Sequence, residues 1–385
     1  MSLTADHVAA MRILFLSKRR YMSKDVILDR YARMYEFPYQ LAKRGHVVLC
    51  CSLSYRFASE GRWTHNAAPG NLEWRSWNLG RSVVPGLLRF SQQSTAQARI
   101  FKPDLIVGAS DIPHCVFARH LANRLKVPYA IDLYDNFESF GQARIPGAVA
   151  GLRRAARGAS FISCVSEPLA THVRQYYGAS CPVLTLESTV DKAFFQPRDR
   201  AACRAKLGLP PGAKLIGTAG SLSAEKGIEA LYRAFELLAA RDPDVHLVLA
   251  GPVEAATPPP QGPRVHLLGQ LPHAEVATLF SALDVAVICI RDTEFGRYCF
   301  PQKAYEMLAC GTPVVAADIG AMKTLLQPFP ASLYRAENAE DLAASVARQL
   351  ERPTLAAVPI KGWDELAAEL EQGLMEAVRS GKRLH

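Results

Sequence analysis

The chain of 385 residues has no apolar run near the roughly 18–20 residues that cross a bilayer, so no membrane span is expected. It opens MSLTADHVAAMRILFLSKRR, without the charged start, apolar core and cleavage site of a signal peptide. No two of its nine cysteines (Cys50, Cys51, Cys115, Cys164, Cys181, Cys203, Cys289, Cys299, Cys310) have the CxxC spacing of a zinc or redox site. Their odd number and apolar surroundings read as reduced core thiols, hence a cytoplasmic protein with no metal site. GxGxxG and GxxxxGK[ST] are both missing, which disfavours a dinucleotide oxidoreductase and a P-loop enzyme. No basic tail or helix-turn-helix pattern is present, and nucleic acid is not an expected partner.

What is present is a basic globular composition. Lys and Arg number 45 against 36 Asp and Glu, a net charge of +9 that favours anionic partners such as phosphorylated ligands. The length suits two domains. Strand-length apolar runs alternate with amphipathic stretches, the pattern of parallel βαβ units. RILFLS (12–17) precedes an expected helix over 28–44, which ends at Gly45, and HVVLCCS follows. DLIVGAS (104–110), a helix over 113–126, PYAIDLY (128–134), FISCVS (161–166) and a helix over 167–177 continue the series. It restarts at KLIGTAGS (214–221), with helices over 225–240, 273–281 and 302–310 between further strands. The junction is expected near 194–200, giving domains 1–195 and 196–359, and 251–264 reads as a Pro-rich loop. WDELAAELEQGLMEAVRS (363–380) has helical apolar spacing. In doubly wound sheets ligands bind beyond the carboxyl ends of strands, so the residues there are the candidates.

GTAGSLSAEKGIEAL places Gly220 and Ser221 at a strand end, with Ser223 as an N-cap and Lys226 in the following helix. Free N–H groups and a lysine there suit a phosphate, although a Gly-Ser turn is also a common structural joint. FGRYCFPQKAYEMLACGTPVVA places Glu306 one turn into a helix, where its carboxylate could accept hydrogen bonds from a ribose diol; alone, it would read as a solvated surface residue. Asp242-Pro243-Asp244 mimics a metal-binding DxD but sits at the wrong strand end and reads as a turn.

Taken together, these segments resemble glycosyltransferase family 4 over nearly the whole chain. PQKAYEMLACGTPVVA resembles the family's donor-site helix and SLSAEKGIEAL its phosphate turn. AKRGHVVLCC (42–51) resembles its RGH element, and CVSEPLATHVRQYYG with STVDKAFFQP (188–197) the end of its first domain. The resemblance implies an α/β GT-B fold, two Rossmann-like doubly wound parallel-sheet domains facing a central cleft, with the tail 360–385 packing back on the first domain. It implies retaining, metal-independent sugar transfer from a nucleotide-diphosphate sugar, UDP- or GDP-linked, with no cofactor. Glu306 should bind the donor ribose and Lys226 the diphosphate, with Gly220, Ser221, Phe300, Gln302 and Lys303 around them. Ser221 stands where the family often has Arg. Tyr298 stands at the place of the family's first Glu, and Glu294 looks like that Glu shifted four residues upstream: either a longer loop restores it or the chain holds the donor sugar differently. Pro301 replaces a glycine.

SDIPH (110–114) and DLYDNFESF (132–140) resemble the family's cleft-facing segments, with Tyr134-Asp135 in place of an HD pair. Asp111, His114, Tyr134 and Lys18 are the acceptor-side candidates, and Asp135 joins Lys226 and Glu294 as a catalytic candidate. Lys18, Arg19, Arg20 and Lys24 follow the first strand and could face an anionic acceptor or simply solvent. The stretch 143–159, with Arg144, Arg153, Arg154 and Arg157, suits either an anionic membrane surface or a helix packed on its own sheet. The expected acceptor is a glycan, a lipid-linked sugar or a small molecule, in bacterial surface polysaccharide or glycoconjugate synthesis. A non-catalytic nucleotide-sugar or glycan-binding protein and a nucleotide-sugar epimerase are the alternative readings.

Overall fold

The computed structural model describes residues 10–21 and 24–382. Residues 1–9, 22–23 and 383–385, and with them the expected ends of the first domain and last helix, lie outside it. The chain divides into two units: one runs to Ser188 and resumes at Trp363, and the other is Thr189–Gly362.

In the first unit the strands are β1 (Arg12–Lys18), β4 (Val47–Ser54), β5 (Gly61–His65), β6 (Asn71–Asn78), β7 (Leu105–Ala109), β8 (Tyr129–Leu133), β9 (Phe161–Cys164) and β10 (Val183–Thr185). A two-residue pair, β2 (Arg20–Tyr21) and β3 (Lys24–Asp25), stands apart from the main sheet. That sheet has the order β10-β9-β8-β7-β1-β4-β6-β5, parallel except where β5 meets β6. β1 has five consecutive buried residues, Ile13 to Ser17, as expected of a central strand covered on both faces. The helices are α1 (Ala32–Lys43), α2 (Val83–Phe101), α3 (Ile112–Leu125), α4 (Ala148–Arg157) and α5 (Glu167–His172). Sequence pattern assigned no element to 55–103, where β5, β6 and α2 lie. The helix expected over 167–177 ends at His172 and continues as a π turn over Val173–Tyr177.

The second unit has α6 (Arg200–Lys206), α7 (Ile228–Ala239), α8 (His273–Ala282), α9 (Glu294–Tyr298), α10 (Lys303–Ala309), α11 (Gly320–Leu326) and α12 (Ala339–Glu351). They surround strands β11 (Lys214–Ala219), β12 (Val245–Ala250), β13 (Val265–Leu267), β14 (Val285–Ile288), β15 (Val314–Ala317) and β16 (Leu333–Tyr334). The sheet is wholly parallel, in the order β13-β12-β11-β14-β15-β16. β11 is again central, and Gly217 allows its close approach to β12: a Cβ there would lie 2.1 Å from the Val248 carbonyl oxygen.

The last helix, α13 (Trp363–Lys382), packs on the first unit. Trp363 meets Phe37 of α1 edge-on at 5.8 Å, and Gly373 lies against Phe161, where a Cβ would come within 2.3 Å of the ring. Buried Glu371 accepts from Arg44 Nε and Nη2 at 2.8 and 2.6 Å, and pairs with His46 Nε2 at 2.7 Å. His46 Nδ1 accepts the Met11 N–H, so the ring proton sits on Nε2 and is donated to Glu371. The Arg-Gly-His segment of the sequence thus holds the last helix.

Candidate functional site

In the second unit, β11 ends at Ala219 and the chain turns at Gly220, whose φ of 118° lies in the left-handed region glycine favours. A Cβ on Gly220 would meet nothing within 4 Å, so the space beyond this strand end is open. The neighbouring strand end closes on it: a Cβ on Gly251 would lie 1.9 Å from the Gly220 carbonyl oxygen.

The helix expected over 225–240 is interrupted. Residues Ala224–Lys226 form a 3-10 turn, Gly227 takes a left-handed φ of 73°, and α7 begins only at Ile228. Ser223 precedes the turn but its side chain makes no cap. The Ala224 N–H donates to Glu254 Oε2 at 3.0 Å, so the first amide expected to meet a phosphate is occupied by a carboxylate. Glu254 reaches it because the start of the Pro-rich loop is tied to this turn, with Leu222 N–H donating to Pro252 O and Glu254 N–H to Leu222 O, each at 3.0 Å. Positive charge here therefore rests on side chains. Ser221 is exposed and touches Ser223 Oγ at 3.5 Å.

Lys226 Nζ sits 4.1 Å from the centroid of the Phe295 ring. Lys303, at the start of α10, extends to the end of β11, its Nζ 3.4 Å from both Thr218 Oγ1 and Ala219 O. Burial pushes the Lys303 pKa below the ordinary lysine value; the field of Lys226 lowers it further, while Cys289 and Glu306 oppose the shift. The structure thus brings two lysines, 77 positions apart in the chain (303 − 226), to one strand end.

Glu306 is buried at 8% exposure, not solvated. Its Oε1 lies 3.3 Å from His273 Nε2 and 3.4 Å from Gln302 Nε2, both long contacts, and its Oε2 accepts no hydrogen bond among the described residues. Gln302 Oε1 is likewise buried without a partner. Two uncommitted acceptors on neighbouring side chains, of which Gln302 Oε1 is fully buried, form a seat for hydroxyl donors. His273 was missed in the sequence. It heads α8 after the Pro272 turn and meets Phe195 edge-on at 5.1 Å. Phe300 is a packing residue, tilted on Tyr305 at 4.8 Å. Glu294 is exposed at the start of α9, the short helix that carries Phe295 to Lys226, and Tyr298 ends that helix.

A second cluster lies at the carboxyl ends of β1, β7 and β8 in the first unit. Asp111 caps α3, accepting the His114 N–H at 3.1 Å, and its carboxylate also meets His114 Nδ1 at 2.5 Å and Tyr55 OH at 2.8 Å. Burial would raise the Asp111 pKa, but the charge and hydrogen bonds of His114 and the bond from Tyr55 outweigh it and hold the carboxyl below its ordinary value. His114 is buried, and its Nε2 has no hydrogen-bond partner among the described residues. Lys18 Nζ donates to Tyr134 OH at 2.6 Å. Burial lowers the Lys18 pKa, opposed by the charges of Asp111 and Asp135. Asp135, buried in the loop after β8, accepts the Asn136 N–H at 2.9 Å.

Other expected residues are placed elsewhere. Arg19 does not meet an open surface: it is fully buried, pairs with Asp25 at 2.9 Å and lies over the Trp63 ring at 4.8 Å. Arg20 and Lys24 are exposed. Asp242 pairs with Lys214 at 2.6 Å and accepts the Asp244 N–H at 3.0 Å, a turn. Among the described residues no group of three or more His, Cys, Asp or Glu side chains is arranged to hold a metal ion, and no helix is long and apolar enough to cross a membrane. All nine cysteines are free thiols.

Comparison with known proteins places both units. Residues 32–186 match the glycosyl transferase 4-like domain and residues 213–352 the glycosyl transferases group 1 family, together more than half of the chain. A D-inositol 3-phosphate glycosyltransferase of Mycolicibacterium gilvum is 37% identical over 145 residues, 34% of this chain but only 31% of that protein. TuaC of Bacillus subtilis, by name a teichuronic acid biosynthesis glycosyltransferase, is 26% identical over 83% of this chain and 77% of its own length. Among solved structures, sucrose-phosphate synthase from Thermosynechococcus elongatus superposes with a TM-score of 0.71 at 19% identity, covering 97% of this chain and 98% of that one. HepE of Anabaena, in complex with UDP and glucose, gives 0.65 at 19% identity, covering 97% and 99%.

Proposed function

Since the chain belongs to the family 4 glycosyltransferases with the GT-B fold, we propose that it transfers a sugar from a nucleoside-diphosphate sugar to an acceptor hydroxyl, with retention and without a metal ion. The observation that carries this reading is the convergence of Lys226 and Lys303 at the open end of β11, with Glu306 offering an uncommitted carboxylate oxygen nearby. Two ammonium groups match the charge of a diphosphate, and they stabilise the leaving group as the glycosidic bond breaks. Glu306 Oε2 and Gln302 Oε1 accept from the ribose diol. The acceptor oxygen attacks the anomeric carbon on the face the diphosphate leaves, and the acceptor's proton passes to the departing phosphate oxygen. In the first unit, His114 Nε2 and the Lys18–Tyr134 pair serve the acceptor, a glycan, a lipid-linked sugar or a small molecule. UDP is the first nucleotide to test because HepE is described with UDP and glucose. The name of TuaC supports a role in bacterial surface polymers.

The test is thermal unfolding with UDP, GDP, ADP and CMP, in wild type and Glu306→Ala. A ligand that binds only the folded state, at about 100 times its Kd, stabilises by about 2.7 kcal/mol. One diphosphate should raise the melting temperature of wild type and not of the variant. No shift with any nucleotide would remove the donor site from this position.

A further inference from the structure

We propose that His273 is a positioning residue of the donor site: its imidazole locks the Glu306 carboxylate so that Oε2 meets the ribose diol, and it thereby sets the selection of ribose over 2′-deoxyribose. This rests on the nucleoside-diphosphate reading above and adds a residue which that reading does not use. Glu306 Oε1 lies 3.3 Å from His273 Nε2 and 3.4 Å from Gln302 Nε2, while Oε2 accepts no hydrogen bond among the described residues. A carboxylate only accepts, so both nitrogens donate, and both to the same oxygen. The last torsion of a glutamate is broad, and a carboxylate held by one long contact turns within it. Gln302 precedes α10 and sits one turn before Glu306, so its contact is local to that helix start and moves with it. His273 comes from α8 and ties the same oxygen to a different helix.

The imidazole is itself held in place. His273 is the first residue of α8, and it follows Pro272, whose ring fixes the chain entering the helix at a φ of −56°. Phe195, 1% exposed, meets the imidazole edge-on at 5.1 Å. The helix behind it is anchored to the end of α10 and the turn that follows: Thr312 Oγ1 donates to Phe280 O at 2.7 Å, and Cys310 Sγ lies 3.8 Å from Ala277 O. A donor on a fixed helix start therefore reaches a carboxylate on a second fixed helix. A carboxylate held in this way loses no torsional freedom when a diol arrives, so the hydroxyl keeps the full gain of its hydrogen bond. The same rigidity punishes a missing hydroxyl. An acceptor that cannot turn to another donor is left unpaired beside a deoxyribose, whereas a mobile one finds water or the remaining hydroxyl. Selectivity for ribose thus depends on the residue that holds Oε1 as much as on the oxygen that makes the contact.

The experiment is titration calorimetry of UDP, GDP and their 2′-deoxy forms against wild type, His273→Ala and His273→Gln. Glutamine keeps an N–H donor at a similar reach. Wild type should bind one ribonucleotide at least roughly tenfold more tightly than its deoxy form, as expected of a site built to pair a hydroxyl. His273→Ala should lose most of that ratio, through weaker binding of the ribonucleotide and little change for the deoxy form. His273→Gln should recover it. The imidazole is 40% exposed, so melting temperatures without ligand should match wild type. A ratio that survives in His273→Ala overturns this inference alone, and leaves the nucleotide reading standing. So does an equal loss for both forms, which marks a packing role, or a ratio that His273→Gln fails to recover. A wild type that binds neither nucleotide, or does not distinguish ribose from deoxyribose, removes the ribose seat at Glu306, and this inference falls with it.

Discussion

At Lys303 the ammonium reaches back along α10 to the end of β11, and burial holds its pKa below the ordinary 10.5. A bound diphosphate favours the charged form. Binding therefore takes up a proton once the pH passes the lowered pKa, and affinity falls as pH rises through that value, earlier than for an ordinary lysine. Titration calorimetry of UDP binding from neutral pH upward should show this alkaline loss, and Lys303→Met should weaken binding and flatten the limb. A wild-type affinity that does not change over this range would separate Lys303 from the diphosphate. The same residue scale explains why Glu306 was legible and His273 was not. Glu306 lies within a string of family-like residues, whereas His273 becomes relevant only because α8 and α10 bring it within 3.3 Å of Glu306, 33 positions away.

The turn between β11 and α7 is where an element departs from its sequence pattern. Apolar periodicity and Ser223 favour a helix from 225, but Gly227 breaks it with a left-handed φ, and α7 starts one residue later. The break leaves Lys226 on a tight turn facing Phe295 instead of inside a helix. A side chain at 227 is strained by that φ and meets Arg291 Cγ at 3.0 Å. Gly227→Ala should cost about 1–2 kcal/mol of stability, measured by urea unfolding, and should weaken nucleotide binding by displacing Lys226. A variant as stable as wild type would show that the turn tolerates other conformations. Elsewhere the expected helix starts agree with the structure to within one residue: α3 and α5 begin at Ile112 and Glu167, where the structure shows Asp111 and Ser166 as caps.

Across the whole chain, α13 is tied to the first unit through Glu371, whose partners Arg44 and His46 lie 327 and 325 positions away. Glu371→Ala leaves a buried His46 N–H and the Arg44 guanidinium without their acceptor. The expected loss is about 2–3 kcal/mol, read by urea unfolding, while UDP-induced stabilisation persists because the nucleotide residues belong to the other unit. Unchanged unfolding would mean that α13 is held by its apolar face alone. The sequence by itself determined the alternation of strands and helices, the two-unit α/β plan and the segments that carry the nucleotide candidates. Each of those rests on interactions within a few residues, periodic burial, caps and turn glycines, which one stretch of chain displays in full. Only the tertiary structure decided which charges are used and which are answered. It paired Lys226 with Lys303, gave the Ala224 amide to Glu254, buried Arg19 beside Asp25, and left Arg154 and Arg157 open to solvent. Those outcomes depend on which distant side chain arrives at a given strand end, and on how much water it displaces there, and neither is written in local order.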